Sequence, residues 1–388
     1  MEMKEYLNEM FSTTFQVEPE KFFSCGGRFE VLGNHTDHNH GLCIAATCSL
    51  SIFAAIKARN DLLVNVYSEG FGGFSIDLSS LDKNEEEIGK SSALIRGIVS
   101  YLSDIYKYGG FDIYMKSQIP GGAGVSSSAA FELLVAQTIN KLFNDEQIPL
   151  MTLCKAGQFA ERNYYGKMCG LLDQIGVAYG GLVYIDFKDI NNPVVKSLNV
   201  ELNDYSFVIV NSGGSHAGLD HLYKAIPDDM FKVAHYFGEE YLRDVEEAKI
   251  IENKQDGISN YGEIAYQRAL HFYGENRRVK EAYEAISNND MQTLIRLINE
   301  SRESSTDLLH NMYVDKVEGS PLEACDLIMK ASNNEAGVKI NGGGFAGSVI
   351  ALVPNKVLNN VLLAAKEKYG EGNVHIVNVR NQIPSEIK

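Results

Sequence analysis

The sequence predicts an α+β protein built as two domains, on three observations. At 388 residues the chain exceeds one core of ordinary size and suits two, each able to bury a substantial interior. Apolar runs with strand character gather in the first quarter and return at the end, whereas long amphipathic helical runs fill the second half between them. A polar stretch at 188–192 places a boundary near residue 190, giving domains 1–190 and 191–388.

Strands are predicted at 28–32, 42–57 and 63–67, each bounded by polar turns. The run 111–119, FDIYMKSQI, alternates as a strand. Pro120 and the glycines that follow break it, and 128–143 resumes with Phe131, Leu134, Val135, Thr138 and Ile139 at helical spacing. A glycine-rich segment therefore joins a strand to a helix. A helix is predicted at 151–165, a loop at 166–173 and a strand at 181–187. The second part opens with a strand at 205–211 and runs through amphipathic helices at 228–253, 260–273, 278–287 and 291–308. It closes with strands at 337–341, 348–353 and 373–379 around a helix at 356–369, which makes a β-α-β unit. No internal repeat or low-complexity tract interrupts this order.

Composition narrows the function classes. The chain is 45% hydrophobic and 22% charged, an ordinary globular balance. Its 35 Lys and Arg against 51 Asp and Glu give a net charge of -16, which opposes general attraction to nucleic acid or anionic lipid. An anionic ligand must then be met locally, by backbone N–H groups, a metal or a few cations. Cys25, Cys43, Cys48, Cys154, Cys169 and Cys325 form no C-x-x-C pair and no zinc-spaced cluster, and they read as reduced thiols of a cytoplasmic protein. Residues 1–15 lack the apolar run of a signal peptide. The uncharged segment 41–56, GLCIAATCSLSIFAAI, is too short to span a bilayer and suits a buried strand.

Four segments carry chemistry. In PGGAGVSSSAA at 120–130, glycines let several N–H groups converge, and the following helix adds its unpaired first-turn N–H groups and positive dipole end. Ser126, Ser127 and Ser128 add hydroxyls for phosphate or Mg2+. The plainer alternative is a flexible loop with a serine N-cap. In GRFEVLGNHTDHNHG at 27–41, a strand delivers Arg28 and a turn crowds Asn34, His35, Asp37, His38 and Asn39. Such a density of hydrogen-bonding groups suits a polyol, with metal binding by His35, Asp37, His38 and His40 as the rival and a solvated turn as the bland reading. Glu161 and Asp173, twelve residues apart in AERNYYGKMCGLLDQ, can divide metal binding and contact with an acceptor hydroxyl. NGGGFAG at 341–347, between two strands, is a backbone built for close approach or simply a tight hairpin.

Taken in order across nearly the whole chain, these segments resemble the motifs of galactokinases within the GHMP kinase superfamily. Residues 27–41 resemble the signature G-R-x-N-x-I-G-E-H-T-D-Y-N-x-G, residues 120–130 resemble P-x-G-x-G-L-S-S-S-A-A, and CGLLDQ at 169–174 resembles C-G-I-M-D-Q. Residues 342–347 are similar to the third glycine motif, and GENRR at 274–278 to the E-x-x-R segment. The resemblance implies a two-domain GHMP kinase fold, with an N-terminal half like domain 2 of ribosomal protein S5 and a C-terminal ferredoxin-like α/β sandwich. It implies an ATP-dependent sugar-1-kinase, with galactose as acceptor. Asp173 would face the anomeric hydroxyl as base and Arg28 would stabilise the charge developing there. Gly121, Gly122, Gly124, Val125, Ser126, Ser127 and Ser128 would surround the phosphates, Ser128 and Glu161 would hold Mg2+, and Asn34, His35, Asp37, Gly170 and Tyr223 would line the sugar.

Departures from the pattern keep alternatives open. Asn34 stands where galactokinases carry the glutamate placed against the 6-hydroxyl, and an amide there can donate to a C6 carboxylate such as that of galacturonate. His38 follows the Asp as it can in galacturonokinases, and Lys-Ala-Ile-Pro at 224–227 replaces N-x-R-R. A non-catalytic galactose and ATP sensor is the rival of another class; the retained Ser128-Ala129 pair and Asp173 speak against it.

Overall fold

A computed structural model describes residues 2–213 and 218–387. Helix α1 (Met3–Phe15) leads into strand β1 (Lys21–Leu32), the 17-residue β2 (Leu42–Ala58) and the hairpin β3 (Leu63–Ser68) and β4 (Gly72–Asp77). Helix α2 (Ser91–Leu102), β5 (Phe111–Ser117), α3 (Ser127–Phe143), α4 (Leu150–Phe159), α5 (Leu172–Ala178), β6 (Leu182–Asp186) and β7 (Val194–Leu198) follow. These strands make one sheet around β2. Its first residues pair with β6 and its last with β5, while β1 runs antiparallel along its other edge. The uncharged segment at 41–56 is thus central strand, with nearly every side chain buried. Among the described residues no helix is long and apolar enough to cross a membrane.

The second sheet comprises β8 (Tyr205–Asn211), β9 (Gly337–Ile340), β10 (Ser348–Pro354) and β11 (Val374–Val377), in the order β11-β8-β10-β9. With the intervening helices this is the ferredoxin-like succession expected from the motifs. The helices are α6 (Asp220–Tyr236), α7 (Glu247–Glu252), α8 (Lys254–Tyr261), α9 (Glu263–Ser287), α10 (Met291–Ser304), α11 (Pro321–Ala331) and α12 (Asn355–Tyr369). The change of sheet falls between β7 and β8, and the short β12 (Ser385–Glu386) returns to pair with β1.

One face of the first sheet packs on α2 to α5 through Ile95, Leu133, Leu153 and Ile175. Its other face meets the second sheet and α9 and α10, with Phe29 and Phe207 rings 4.7 Å apart. The far side of the second sheet packs on α11 and α12.

Three helical expectations change. The run 228–253 is broken, because α6 ends at Tyr236 and Gly238 takes a left-handed φ of 81°, which turns the chain away before α7. The runs 260–273 and 278–287 are one helix, α9. The polar residues that interrupt its apolar period, Glu275 and Asn276, point inward and are satisfied there. Helix 151–165 is α-helical only to Phe159 and continues as a π-helical turn, Ala160–Tyr165, which carries Glu161 into the interior. Helices α1, α2, α5, α8 and α11 and strands β4, β7 and β12 are additions to the predicted set.

Candidate active site

The glycine-rich loop between β5 and α3 is held from below by β1. The Arg28 N–H donates to the Val125 carbonyl at 2.8 Å, and the Arg28 guanidinium donates to the Gly124 carbonyl at 2.8 Å. Gly124 has φ +69°, and a Cβ there would meet Ser348 Oγ at 2.0 Å, so the loop also presses on the second sheet. Asn341 of the β9–β10 turn donates to the same Gly124 carbonyl at 3.0 Å. These contacts fix the loop's carbonyls and leave its exposed edge, Gly121, Gly122 and Ser127, facing outward at the N-terminus of α3. The first N–H groups of that helix have no intrahelical acceptor. Val125 contributes backbone alone, since its side chain is buried.

Asp173 sits on the first turn of α5, beside that loop. Arg28 Nε and Nη2 both reach its Oδ1 at 2.8 Å, and the Ser126 hydroxyl donates to its Oδ2 at 2.5 Å. Burial by itself disfavours the charged form of Asp173 and pushes its carboxyl up. The Arg28 charge, the Ser126 hydrogen bond and the Lys167 charge outweigh burial and hold it below the usual carboxylate range. The carboxylate is therefore anionic at neutral pH, and Ser126 serves it rather than standing free for phosphate.

Two oxygens fit a hard cation beside the same loop. Ser128 Oγ lies 3.3 Å from Glu161 Oε1, and Glu161 is 2% exposed. Mg2+ asks for few protein oxygens and takes phosphate oxygens and waters for the rest, so a hydroxyl and a buried carboxylate suffice. Gln174 Nε2 joins Glu161 Oε2 at 3.3 Å to Glu132 Oε2 at 2.9 Å. Burial and the Glu161 charge push the Glu132 carboxyl well above its ordinary range.

The turn after β1 forms the second half of the site. His35, in a left-handed conformation, places Nε2 2.8 Å from the Gly343 carbonyl. A carbonyl only accepts, so Nε2 carries the proton; burial keeps the ring neutral and Nδ1 is an acceptor. Asp37 Oδ2 lies against Gly170, where a Cβ would stand 1.7 Å away. Burial, then the charges of Asp173 and Glu30, raise Asp37 to about 6. Tyr223, on α6, donates to the Gly344 carbonyl at 2.8 Å and packs edge-on to Phe345. The NGGGFAG segment is a β9–β10 hairpin, and its carbonyls also wall the turn. The metal reading of the histidines is not supported: among the described residues no group of three or more His, Cys, Asp or Glu side chains is placed to hold a metal ion, and His40 stacks on Tyr241.

Asn34 overturns the reading that it would donate to a C6 carboxylate. It is 1% exposed; its Nδ2 donates to Glu30 Oε1 at 3.1 Å and to the Gly342 carbonyl at 2.7 Å, while Asn311 Nδ2 donates to its Oδ1 at 2.9 Å. Every polar atom of the amide is engaged inside the protein. Glu30 occupies the asparagine position of the signature, so this chain exchanges the Asn and Glu of that motif between two residues in contact. The carboxylate of Glu30 is neutralised by Lys339, 0% exposed, at 2.8 Å. The exchange was visible in the sequence. Lys339 and Asn311 carried no local signal.

Behind the turn, the E-x-x-R segment does structural duty. Glu275 Oε1 accepts from the Gly33 N–H at 2.9 Å, the Asn34 N–H at 3.3 Å and Ser301 Oγ at 2.7 Å, and Oε2 pairs with Arg278 at 2.8 Å. Burial opposes its charge, but Arg278, His271, Lys339 and the Gly33 N–H bring Glu275 down to about 2.

Residues 93–181, which hold the phosphate loop, match the model of the GHMP kinases N terminal domain, and residues 9–58, which hold the turn, match the galactokinase galactose-binding signature. The chain is 30% identical over 373 residues to the galactokinase of Glaesserella parasuis serovar 5, covering 92% of each. The chain belongs to the galactokinase family. A galactokinase of Lactobacillus helveticus is likewise 30% identical, with 93% of this chain and 92% of that one covered. Among solved structures, Lactococcus lactis galactokinase complexed with galactose superposes over the whole of both chains with a TM-score of 0.85 at 25% identity. The mevalonate kinase of Methanococcus jannaschii, 17% identical with a TM-score of 0.64 over 93% of this chain and 98% of that one, shares the fold of this galactokinase family member.

Proposed function

We propose that the protein transfers the γ-phosphoryl group of ATP to the anomeric O1 of galactose, giving galactose 1-phosphate. The observation that carries this reading is the Arg28–Asp173 pair, set between the phosphate loop and the sugar turn. Asp173 accepts the hydrogen bond of the O1 hydroxyl and takes its proton as the O1–phosphorus bond forms and the bond from the γ-phosphorus to the bridging oxygen breaks, releasing ADP. A loose phosphoryl transition state needs little base strength, so a carboxylate held anionic serves by position. Arg28 keeps that carboxylate oriented and faces the charge that develops on the transferred group. Asp37 and neutral His35 accept and discriminate ring hydroxyls, with Gly170 and Tyr223 closing the same wall. Gly121, Gly122, Gly124, Val125 and Ser127 cradle phosphate oxygens through backbone N–H groups. Mg2+, when bound by Ser128 and Glu161, neutralises phosphate charge.

Galacturonate as acceptor loses its support, because the Asn34 amide is committed to Glu30, Gly342 and Asn311. A sensor without turnover has no use for an aspartate gripped by both Arg28 and Ser126. Buried, unpaired thiols, with Cys25 pushed up to about 12 by burial, support a reducing compartment, the cytoplasm.

The test is a panel of galactose, galacturonate, arabinose and N-acetylgalactosamine with ATP, read as kcat/KM. Galactose should lead; faster turnover of galacturonate would refute the assignment. Asp173→Asn should retain ATP binding and lower kcat by roughly 10³-fold; an unchanged kcat removes Asp173 from the chemistry.

A further inference from the structure

The ion pair that Lys167 makes is used by none of the roles above. The π-helical turn that carries Glu161 ends at Gly166, whose φ is +92°, and the Gly166 and Lys167 N–H groups both donate to the Glu161 carbonyl at 3.0 Å. The chain therefore doubles back over Glu161, and Lys167 Nζ reaches Glu161 Oε1 at 2.8 Å. This is the oxygen that Ser128 Oγ also touches. The two partners differ in burial: the Glu161 side chain is 2% exposed and that of Lys167 58%. A buried carboxylate near Glu132 and Asp173 needs a cation at all times, since an uncompensated charge there is costly. A lysine on an exposed stem can give way to another cation at little cost, because a partly exposed ammonium regains its hydration when it leaves.

We infer that Lys167 is a displaceable counter-cation for Glu161, holding the carboxylate when no divalent cation is bound and yielding Oε1 to one that arrives with the nucleotide. The inference rests on the reading of Ser128 and Glu161 as the Mg2+ ligands. Lys167 thus competes with Mg2+ for one oxygen. Its removal should favour the metal while weakening the metal-free protein.

The experiment follows ATP binding calorimetrically without sugar, across a Mg2+ series, for wild type, Lys167→Met and Lys167→Arg. Thermal midpoints with EDTA and with Mg2+ accompany it. Lys167→Met should reach half-maximal Mg2+-dependent binding at roughly fivefold lower Mg2+, the factor expected for losing a partly exposed ion pair. It should also gain more thermal stability from Mg2+ than wild type, and Lys167→Arg should track wild type. Equal Mg2+ midpoints in wild type and Lys167→Met overturn the counter-cation role. The metal reading is tested separately by Glu161→Gln, which should abolish the Mg2+ dependence; Mg2+ dependence that persists in that variant overturns the ligand assignment itself.

Discussion

Asn34→Glu restores the residue that the galactokinase signature carries at this position, yet the structure predicts that it damages this protein. The substitution removes the two Nδ2–H donations, to Glu30 Oε1 and the Gly342 carbonyl, at a side chain 1% exposed. Each buried acceptor left without a donor costs about 1–3 kcal/mol. The new carboxylate also lies about one hydrogen-bond length from Glu30, with Lys339 already committed, which brings an uncompensated buried charge of roughly 3–5 kcal/mol. A loss of at least about 4 kcal/mol is expected, a large part of the stability of an ordinary domain. Glu30→Asn alone should be comparably harmful, because it strands the fully buried Lys339 ammonium. The double exchange returns a donor to one side, a carboxylate to the other and a counter-ion to Lys339, so it should recover about 2–3 kcal/mol of the summed loss. Urea unfolding of wild type, both single variants and the double variant measures this. Soluble, folded double variant where neither single variant folds counts as the same coupling. A coupling energy below about 0.5 kcal/mol, within the range of independent sites, would refute the compensated exchange.

Gly170→Ala should raise the KM for galactose at least tenfold and leave the KM for ATP unchanged, because a Cβ would sit 1.7 Å from Asp37 Oδ2; initial-rate kinetics in each substrate decide it. Asp37, raised to about 6, must be ionised to accept sugar hydroxyls, so kcat/KM for galactose should fall as pH drops through 6. Asp37→Asn should flatten that limb of the profile. Glu275, lowered to about 2 from 4.5, contributes stability present above pH 4.5 and lost as pH falls towards 2. The linkage corresponds to about 3 kcal/mol, so Glu275→Gln should lose stability of that order at pH 7. The gap to wild type should narrow in acid; a gap independent of pH would show that the Glu275 charge does not hold the turn.

Much of the site was readable from local sequence. A glycine-rich junction between an alternating strand and a helical run can do little but present N–H groups at a helix N-terminus, and α3 begins one residue earlier than predicted. The crowding of His35, Asp37 and Asn39 after a strand likewise identified the turn. The errors arose where a polar residue broke an apolar period. At 274–278 the break read as a helix end, whereas Glu275 and Asn276 are buried because the turn supplies their hydrogen-bond partners. Asn34 erred in the opposite direction: it read as a donor to substrate because its chemistry allows that, and its partners lie far along the chain.

The sequence by itself determined the chemistry on offer: the order of the motifs, the strand-loop-helix cradle, two carboxylates twelve residues apart, and an uncharged segment at 41–56 too short to span a bilayer. Only the tertiary structure decided which polar groups remain for ligands. Glu30 is neutralised by Lys339, 309 residues away, Asn34 is satisfied by Asn311, 277 residues away, and Ser126 is taken by Asp173, 47 residues away. The physical reason is that a buried polar group must find its partner wherever the fold brings one. Periodicity records which face of an element is apolar; it holds no record of which distant donor meets which acceptor.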